Sequence, residues 1–258
     1  MNVTKPTDGV WCPDKSPDRI AGMFDAIAPR YDFLNHLLSA GIDRRWRAAA
    51  IRSLQLTGRE TVLDICCGTA DVALAAMMNL QRGKGRSAPL TSGAARVIGV
   101  DFSGAMLALG REKVKAAGAA TRIMLVRGDA MRAPVRDRSF DALTVAFGLR
   151  NVQQPEVACF EMARVLRPGG RLAILEFGVP RIPGFRPLYL WYFRRVLPMV
   201  GRVISGHNAA YSYLPASVGT FASPPELVAT LRRGGFTDIR ANPLTLGIVY
   251  LYTAQRAG

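Results

Sequence analysis

Three acidic residues and one arginine stand at the ends of short apolar runs in this chain. Asp64 lies in VLDICCGTAD, Asp101 closes VIGVD, Asp129 follows IMLVRG, and Arg150 lies in AFGLRN, just after the run Phe140 to Ala146. If these runs are parallel strands of one open sheet, their carboxyl ends share a crevice, which is where such sheets bind ligands. A loop built for a pyrophosphate would read G-x-G-x-x-G, so that the backbone can approach phosphate at a helix N-terminus. Here the loop offers Gly68, with Ala70 where a further glycine would stand. A rim of carboxylates repels phosphate and suits a cationic ligand rich in hydroxyl and amine donors. S-adenosylmethionine has those properties: a sulfonium, an ammonium, a ribose diol and an adenine amine, and no phosphate.

Chemistry then distributes the roles. Asp101 is expected to accept both ribose hydroxyls, as an acid at the end of the second strand does in dinucleotide folds. Asp129 and the backbone at Ala130 would meet the adenine edge, and Met106 would pack on the adenine ring. Gly68 and Thr69 would cradle the methionine portion, Asp64 would face its ammonium directly or through water, and Ala146 would line the site from the fourth strand. A single acid after a strand is often only a helix N-cap. The ordered set across three strands is what carries the reading.

Such residues need a scaffold that brings strand ends together. Five apolar runs, Thr61 to Ile65, Val97 to Asp101, Ile123 to Arg127, Phe140 to Ala146 and Arg171 to Phe177, alternate with helical or loop segments. That rhythm predicts an α/β fold with a mostly parallel, Rossmann-like sheet covered on both faces. Two later runs, Ile239 to Leu244 and Ile248 to Thr253, flank Gly247 and predict an antiparallel edge pair, which completes a seven-stranded sheet. A single domain is expected, with a loose tail over residues 1–20 and a helical lid over 21–58. The core follows over 59–178, a helical cap over 179–225, and a C-terminal helix with the edge hairpin over 226–258. Within the cap, Phe185 to Ile204 interleaves aromatics with arginines, while Gln81 to Ala95 reads as a flexible surface insertion.

A chain of 258 residues can bury a large core. Its net charge of +15 draws polyanions, either nucleic acid or the anionic face of a membrane. Arginines interrupt the apolar stretches short of the roughly 20 residues a membrane span needs. The start, MNVTKPTDGVWCPDKSP, has prolines and charges where a signal peptide needs a continuous apolar segment, so a cytoplasmic protein is expected. Cys12, Cys66, Cys67 and Cys159 show neither zinc-site spacing nor a disulfide framework, and only His36 and His207 accompany them. No metal is expected.

The segments MFDAIAPRYDFLNHLLSAGIDRRW, VLDICCGTAD, MLALGREK, FGLRNV, RVLRPGGRLAILEFG and YSYLPASV together resemble the ubiquinone/menaquinone biosynthesis C-methyltransferases, from Gly22 to Tyr252. A glycine is usual in that family where Ala70 stands. The resemblance implies a class I S-adenosylmethionine-dependent methyltransferase acting on a ring carbon of a polyprenyl hydroquinone: demethylmenaquinol or the ubiquinone precursor. It also implies catalytic roles for three residues. Arg150 would act as an electrostatic clamp on the ring oxygen, Asn151 would orient that oxygen or a water, and Tyr31 would lie near the transferring methyl. The isoprenoid tail would lie against the Phe185 to Ile204 cap, with Trp191, Tyr192 and Phe193 beside Arg194 and Arg195, in peripheral contact with an anionic membrane.

The basic surface would equally serve an RNA methyltransferase on the same sheet. Against that, AFGLRN carries neither an N-P-P-Y-like base-binding run nor a catalytic P-C, so no nucleic-acid partner is expected. Another small aromatic substrate is the remaining alternative. A cofactor-binding scaffold without catalysis would have no use for Arg150, Asn151 and Tyr31.

Overall fold

The computed structural model describes residues 15–83, 97–196, 199 and 208–258. Its strands are β1 (Val62–Ile65), β2 (Val97–Asp101), β3 (Ile123–Arg127), β4 (Phe140–Ala146), β5 (Leu166–Phe177), β6 (Phe236–Leu244) and β7 (Val249–Arg256). They form one seven-stranded sheet in the order β3-β2-β1-β4-β5-β7-β6. The first five are parallel, and β7 runs antiparallel between β5 and β6. Strand order reverses at β1, so the crevice opens at its carboxyl end, between β2 and β4.

The chain's apolar runs become strands because both faces of the sheet are covered, and β1 is buried along its whole length. On one face, α5 (Pro155–Val165) and α8 (Pro224–Arg233) set Ala158, Met162, Leu227 and Leu231 against Leu63, Leu143 and Ile174. On the other, α2 (Asp43–Ser53) and α3 (Asp71–Gly83) set Trp46, Ile51, Ala76 and Leu80 against Val62, Ala142 and Ala173. A third cluster joins Ile27 and Leu34 of α1 (Pro17–Leu38) to Met106 of α4 (Gly104–Ala116), Tyr189 of α6 (Phe185–Trp191) and Val218 of α7 (Asn208–Gly219). Phe177, at the carboxyl end of β5, packs against this cluster. Thus α1 and the cap cover the crevice.

Strands β2, β3 and β4 have the expected limits, whereas β1 starts at Val62. Strand β5 starts at Leu166 rather than Arg171, because Leu166 pairs with Phe140 before a register shift returns the ladder at Arg171. A similar shift between Thr237 and Arg240 extends β6 back to Phe236. Of the expected insertion, Gln81, Arg82 and Gly83 are the last turn of α3, which runs on past buried Leu80; the rest lies outside the described residues. In the cap, α6 passes into a π-helical turn, Tyr192–Val196. Residues 197–204 apart from Met199 lie outside the described residues, as do Cys12 and His207. Among the described residues no helix is long and apolar enough to cross a membrane.

The exit from β4 explains the glycine in AFGLRN. Phe147 has φ 59°, and a Cβ on Gly148 would lie 2.2 Å from the Cβ of Cys66, itself at φ 55°. Two loops touch there with room for one side chain. Gly148→Ala is expected to overpack this contact at a cost of about 1–3 kcal/mol, read as a lower urea midpoint. Adding Cys66→Gly, which removes the opposing side chain and relaxes a left-handed backbone, should restore most of the loss.

Candidate active site

Two cavities open at the carboxyl ends of the central strands. The first, about 800 Å³ including its open mouth, is lined by Gly68, Asp101, Met106, Asp129, Ala130 and Ala146, among others. Asp101 holds two loops together: Oδ2 accepts from Gly68 N at 2.7 Å and Oδ1 from Ser103 N at 2.9 Å. A carboxylate has about four acceptor positions, so these two bonds leave capacity for a diol. Burial pushes the Asp101 carboxyl above its ordinary pKa, opposed by the N–H groups of Ser103, Gly68 and Phe102. Asp129 accepts from Met131 N at 2.8 Å. Gly68, at φ 53°, has no atom within 4 Å of where a Cβ would stand. This cavity has two acids, an apolar slot at Met106 and Ala130, and one lysine, Lys15, in its wall. Those groups fit a nucleoside carrying a cationic amino-acid arm better than a phosphate ester.

The second cavity, about 1040 Å³, shares Phe24, Tyr31, Cys66, Gly68, Ala146 and Phe147 with the first. The two hollows therefore meet at these six residues. Beyond them the second is walled on one side by Trp46, Phe177, Leu214 and Arg150, and on the other by Asp32, Asp43, Asp71 and Arg47. Phe147 and Phe177 lie 4.7 Å apart, and Trp46 sits 6.1 Å from Phe147 and 6.4 Å from Phe177 by ring centroids. Such a wall suits a flat aromatic guest. Tyr31 is hydrogen-bonded to Asn35, and burial raises its pKa, so it stays a neutral phenol.

Arg150, in the 3-10 turn Leu149–Asn151, is 5% exposed. Arg150 Nη1 donates to the carbonyl of Phe147 and lies 3.1 Å from Oε1 of Glu176, and its guanidinium carbon sits 5.2 Å from the Phe177 ring centroid. Glu176 was not foreseen. Its signal is a carboxylate inside the apolar run LAILEF, a place where only a partner makes a charge tolerable. Asn151 is 9% exposed and lines the first cavity, not the second; its amide nitrogen donates to Phe147 O at 3.4 Å and its Oδ1 has no partner.

Thr69 also differs from expectation. It lines the second cavity, and its hydroxyl donates to Asp32 Oδ1 of α1 at 2.6 Å. Asp32 Oδ2 accepts from Lys113 Nζ at 2.9 Å, Lys113 also meets Asp71, and Arg47 bridges Asp71 and Asp43. Burial pushes the Asp71 pKa up, yet Arg47 and Lys113 together leave it below the usual carboxylate range. At the other end of the lid, Asp25 accepts from Ser103 Oγ and, at 3.1 Å, from Ala105 N. Two acids of α1 thus fasten it across the crevice.

The sheet order β3-β2-β1-β4-β5-β7-β6, with β7 antiparallel between β5 and β6 and an acid closing β2 beside a glycine turn, is that of the class I S-adenosylmethionine-dependent methyltransferases. A SAM-dependent methyltransferase of Thermotoga maritima has this fold, with TM-score 0.59 at 17% identity over 92% of this chain and 99% of that one. Within the class, the chain matches the ubiE/COQ5 methyltransferase family over residues 14–256 and belongs to it. It is 43% identical over 239 residues to the ubiquinone/menaquinone biosynthesis C-methyltransferase UbiE of Geotalea daltonii, covering 93% of this chain and 97% of that protein. It is also 43% identical over 234 residues to the demethylmenaquinone methyltransferase of Thermus thermophilus, covering 91% and 100%.

Asp64 requires a correction. Expected at the rim facing the ammonium, it is 1% exposed and lines neither cavity; the alternation of β1 turns it into the packed layer, where Thr144 Oγ1 donates to it at 2.7 Å. Burial raises its pKa to about 7, with Thr144 opposing and the charge of Asp101 adding to the rise. Above the unfolded value of 3.8 and below about 7, the folded carboxyl keeps a proton that the unfolded chain has released. Stability from this group is therefore fully present below the lower value and lost as pH rises through the upper one. Asp64→Asn should gain stability relative to the wild type between about pH 4 and about pH 8. Urea unfolding of both proteins across that range measures it, and a pH-independent difference refutes the assignment.

Proposed function

We propose that this protein methylates a ring carbon of a polyprenylated hydroquinone, converting demethylmenaquinol to menaquinol, with the ubiquinone precursor as a further substrate. The observation that supports this reading is the junction at Tyr31, Ala146 and Phe147 between the hollow lined by Asp101 and Asp129 and one that sets Arg150 beside Trp46, Phe147 and Phe177. S-adenosylmethionine, when bound, supplies an electrophilic methyl group. Asp101, Asp129, Met106, Ala130 and Gly68 would hold it in the first cavity.

The ring must present a nucleophilic carbon, which a hydroquinol does when a hydroxyl ionises and pushes charge to the ortho position. A phenol with pKa near 10 is ionised in roughly one molecule per thousand at neutral pH. Arg150, in the wall of the second cavity, favours the phenolate and its delocalised transition state, a contribution of about 3 kcal/mol for a preorganised donor. A guanidinium stays protonated in proteins and so is no proton acceptor; a water in the second cavity would relay the proton to solvent. Trp46, Phe147 and Phe177 orient the ring, and Tyr31 keeps it close to the shared wall, where proximity contributes most.

An isoprenoid tail needs an apolar exit. Phe33 and Leu37 on α1 are 60% and 47% exposed, and Leu188 and Trp191 on α6 are 60% and 58% exposed. Tyr192 donates to Leu38 O at 3.4 Å, so the two helices adjoin. With exposed Arg186 and Arg195 nearby in the chain, this face suits the surface of an anionic membrane.

Incubation with labelled cofactor and each demethylated quinol, followed by mass analysis of the lipid extract, tests the reaction; label transferred to RNA instead would overturn it. Arg150→Ala should lower turnover by about 100-fold with cofactor affinity nearly kept, while Asp101→Ala should lose the cofactor first. Equal loss of cofactor binding in both would refute the division of roles. Co-sedimentation with anionic vesicles should occur at low salt and weaken at high salt, and Phe33→Ser with Trp191→Ser should reduce it. Absence of binding at both salts removes the membrane contact.

A further inference from the structure

Glu176 has no part in the roles given so far, yet it is the most deeply buried charge beside the second cavity. It is 0% exposed on β5, with its carboxylate oxygens 3.1 and 3.4 Å from Arg150 Nη1. Burying such a pair is weak evidence of stabilisation, because apolar replacements of buried ion pairs are often neutral or better. The geometry has another use. Phe147 O and Glu176 hold one nitrogen of the guanidinium and Phe177 adjoins it at 5.2 Å, which leaves the side chain little freedom. Arg150 lines the second cavity and Glu176 lines neither, so Glu176 acts through Arg150.

We propose that Glu176 is a positioning residue for the methyl transfer: it fixes the Arg150 guanidinium and offsets part of its charge, setting how strongly the site favours the substrate phenolate. The inference rests on the functional reading above, in which Arg150 faces the quinol oxygen. An arginine with no counter-charge would pull the proton from the bound quinol at lower pH and bind the phenolate more tightly before reaction. Tight ground-state binding of that kind leaves less to be gained in the transition state. The charges that face Glu176 are those of Arg150 and Lys15, and its own charge reaches Cys66 and Tyr252. Burial raises the Glu176 pKa, and Arg150 opposes the rise.

The test uses the full chain with S-adenosylmethionine and demethylmenaquinol in detergent, and compares Glu176→Gln, Glu176→Asp and Glu176→Ala with the wild type. Glu176→Gln keeps an acceptor and removes the charge, so the acid limb of its kcat profile should move down by about one pH unit, tenfold in the ionisation of the bound quinol. Glu176→Ala frees the guanidinium and should lower kcat about tenfold or more, with cofactor affinity by equilibrium dialysis within about twofold. Glu176→Asp keeps the charge but draws it back, so kcat should fall while the limb stays in place. A folded Glu176→Gln whose limb coincides with the wild type overturns the proposal. If Glu176→Gln does not fold, Glu176→Asp decides: wild-type kcat overturns the proposal, and reduced kcat with retained cofactor affinity supports it. A wild type that methylates no quinol defeats the functional reading itself, which is a separate result.

Discussion

Arg150 and Glu176 meet at 3.1 Å where neither has water to fall back on, and the surrounding backbone is arranged so that they can. The guanidinium reaches β5 only because the chain leaves β4 through a left-handed Phe147 and a 3-10 turn that folds residues 149–151 back under the strand end. That turn requires Gly148, since the Cys66 loop of β1 leaves no space for a side chain. The same Phe147 offers its carbonyl to Arg150 and its ring to both cavities. The carboxyl ends of β1, β4 and β5 thus converge around one buried ion pair.

The opposite flank follows a looser rule. Asp32, Lys113, Asp71, Arg47 and Asp43 link α1, α2, α3 and α4 through pairs that are partly open to solvent at Asp32, Lys113 and Asp71 and buried at Asp43. Single exposed pairs contribute little, but this chain of contacts sets the register of α1 and with it the place of Tyr31, one residue before Asp32. Rigid, dry pairing holds the arginine side of the crevice, and hydrated, exchangeable pairing holds the lid.

Much of this was legible in the chain. Apolar runs ending in an acid located β2 with Asp101 and the Asp129 loop, because a strand end and its polar exit are local properties. The glycine and arginine of AFGLRN marked the turn after β4 for the same reason. Depth was not legible: Asp64 sits inside its run, before Ile65, and only the pleat decides that it faces the packed layer. Partners distant in sequence were hidden too. Thr69 finds Asp32 and Arg150 finds Glu176 through the tertiary fold, so Glu176 passed as one letter in an apolar strand. The register shifts in β5 and β6 depend on their neighbours across the sheet, which no local window contains.

Strand β7 comes later in the chain than both of the strands it separates. During synthesis, β5 and β6 emerge first and cannot pair with each other in the native order, leaving the free edge of β5 and its apolar faces unsealed until β7 arrives. Contacts of that sequence separation form late, and an unsealed strand edge is where nascent chains stick together. The arginine that lines the finished crevice depends on a carboxylate in that same β5, so the site is completed no earlier than the sheet around it.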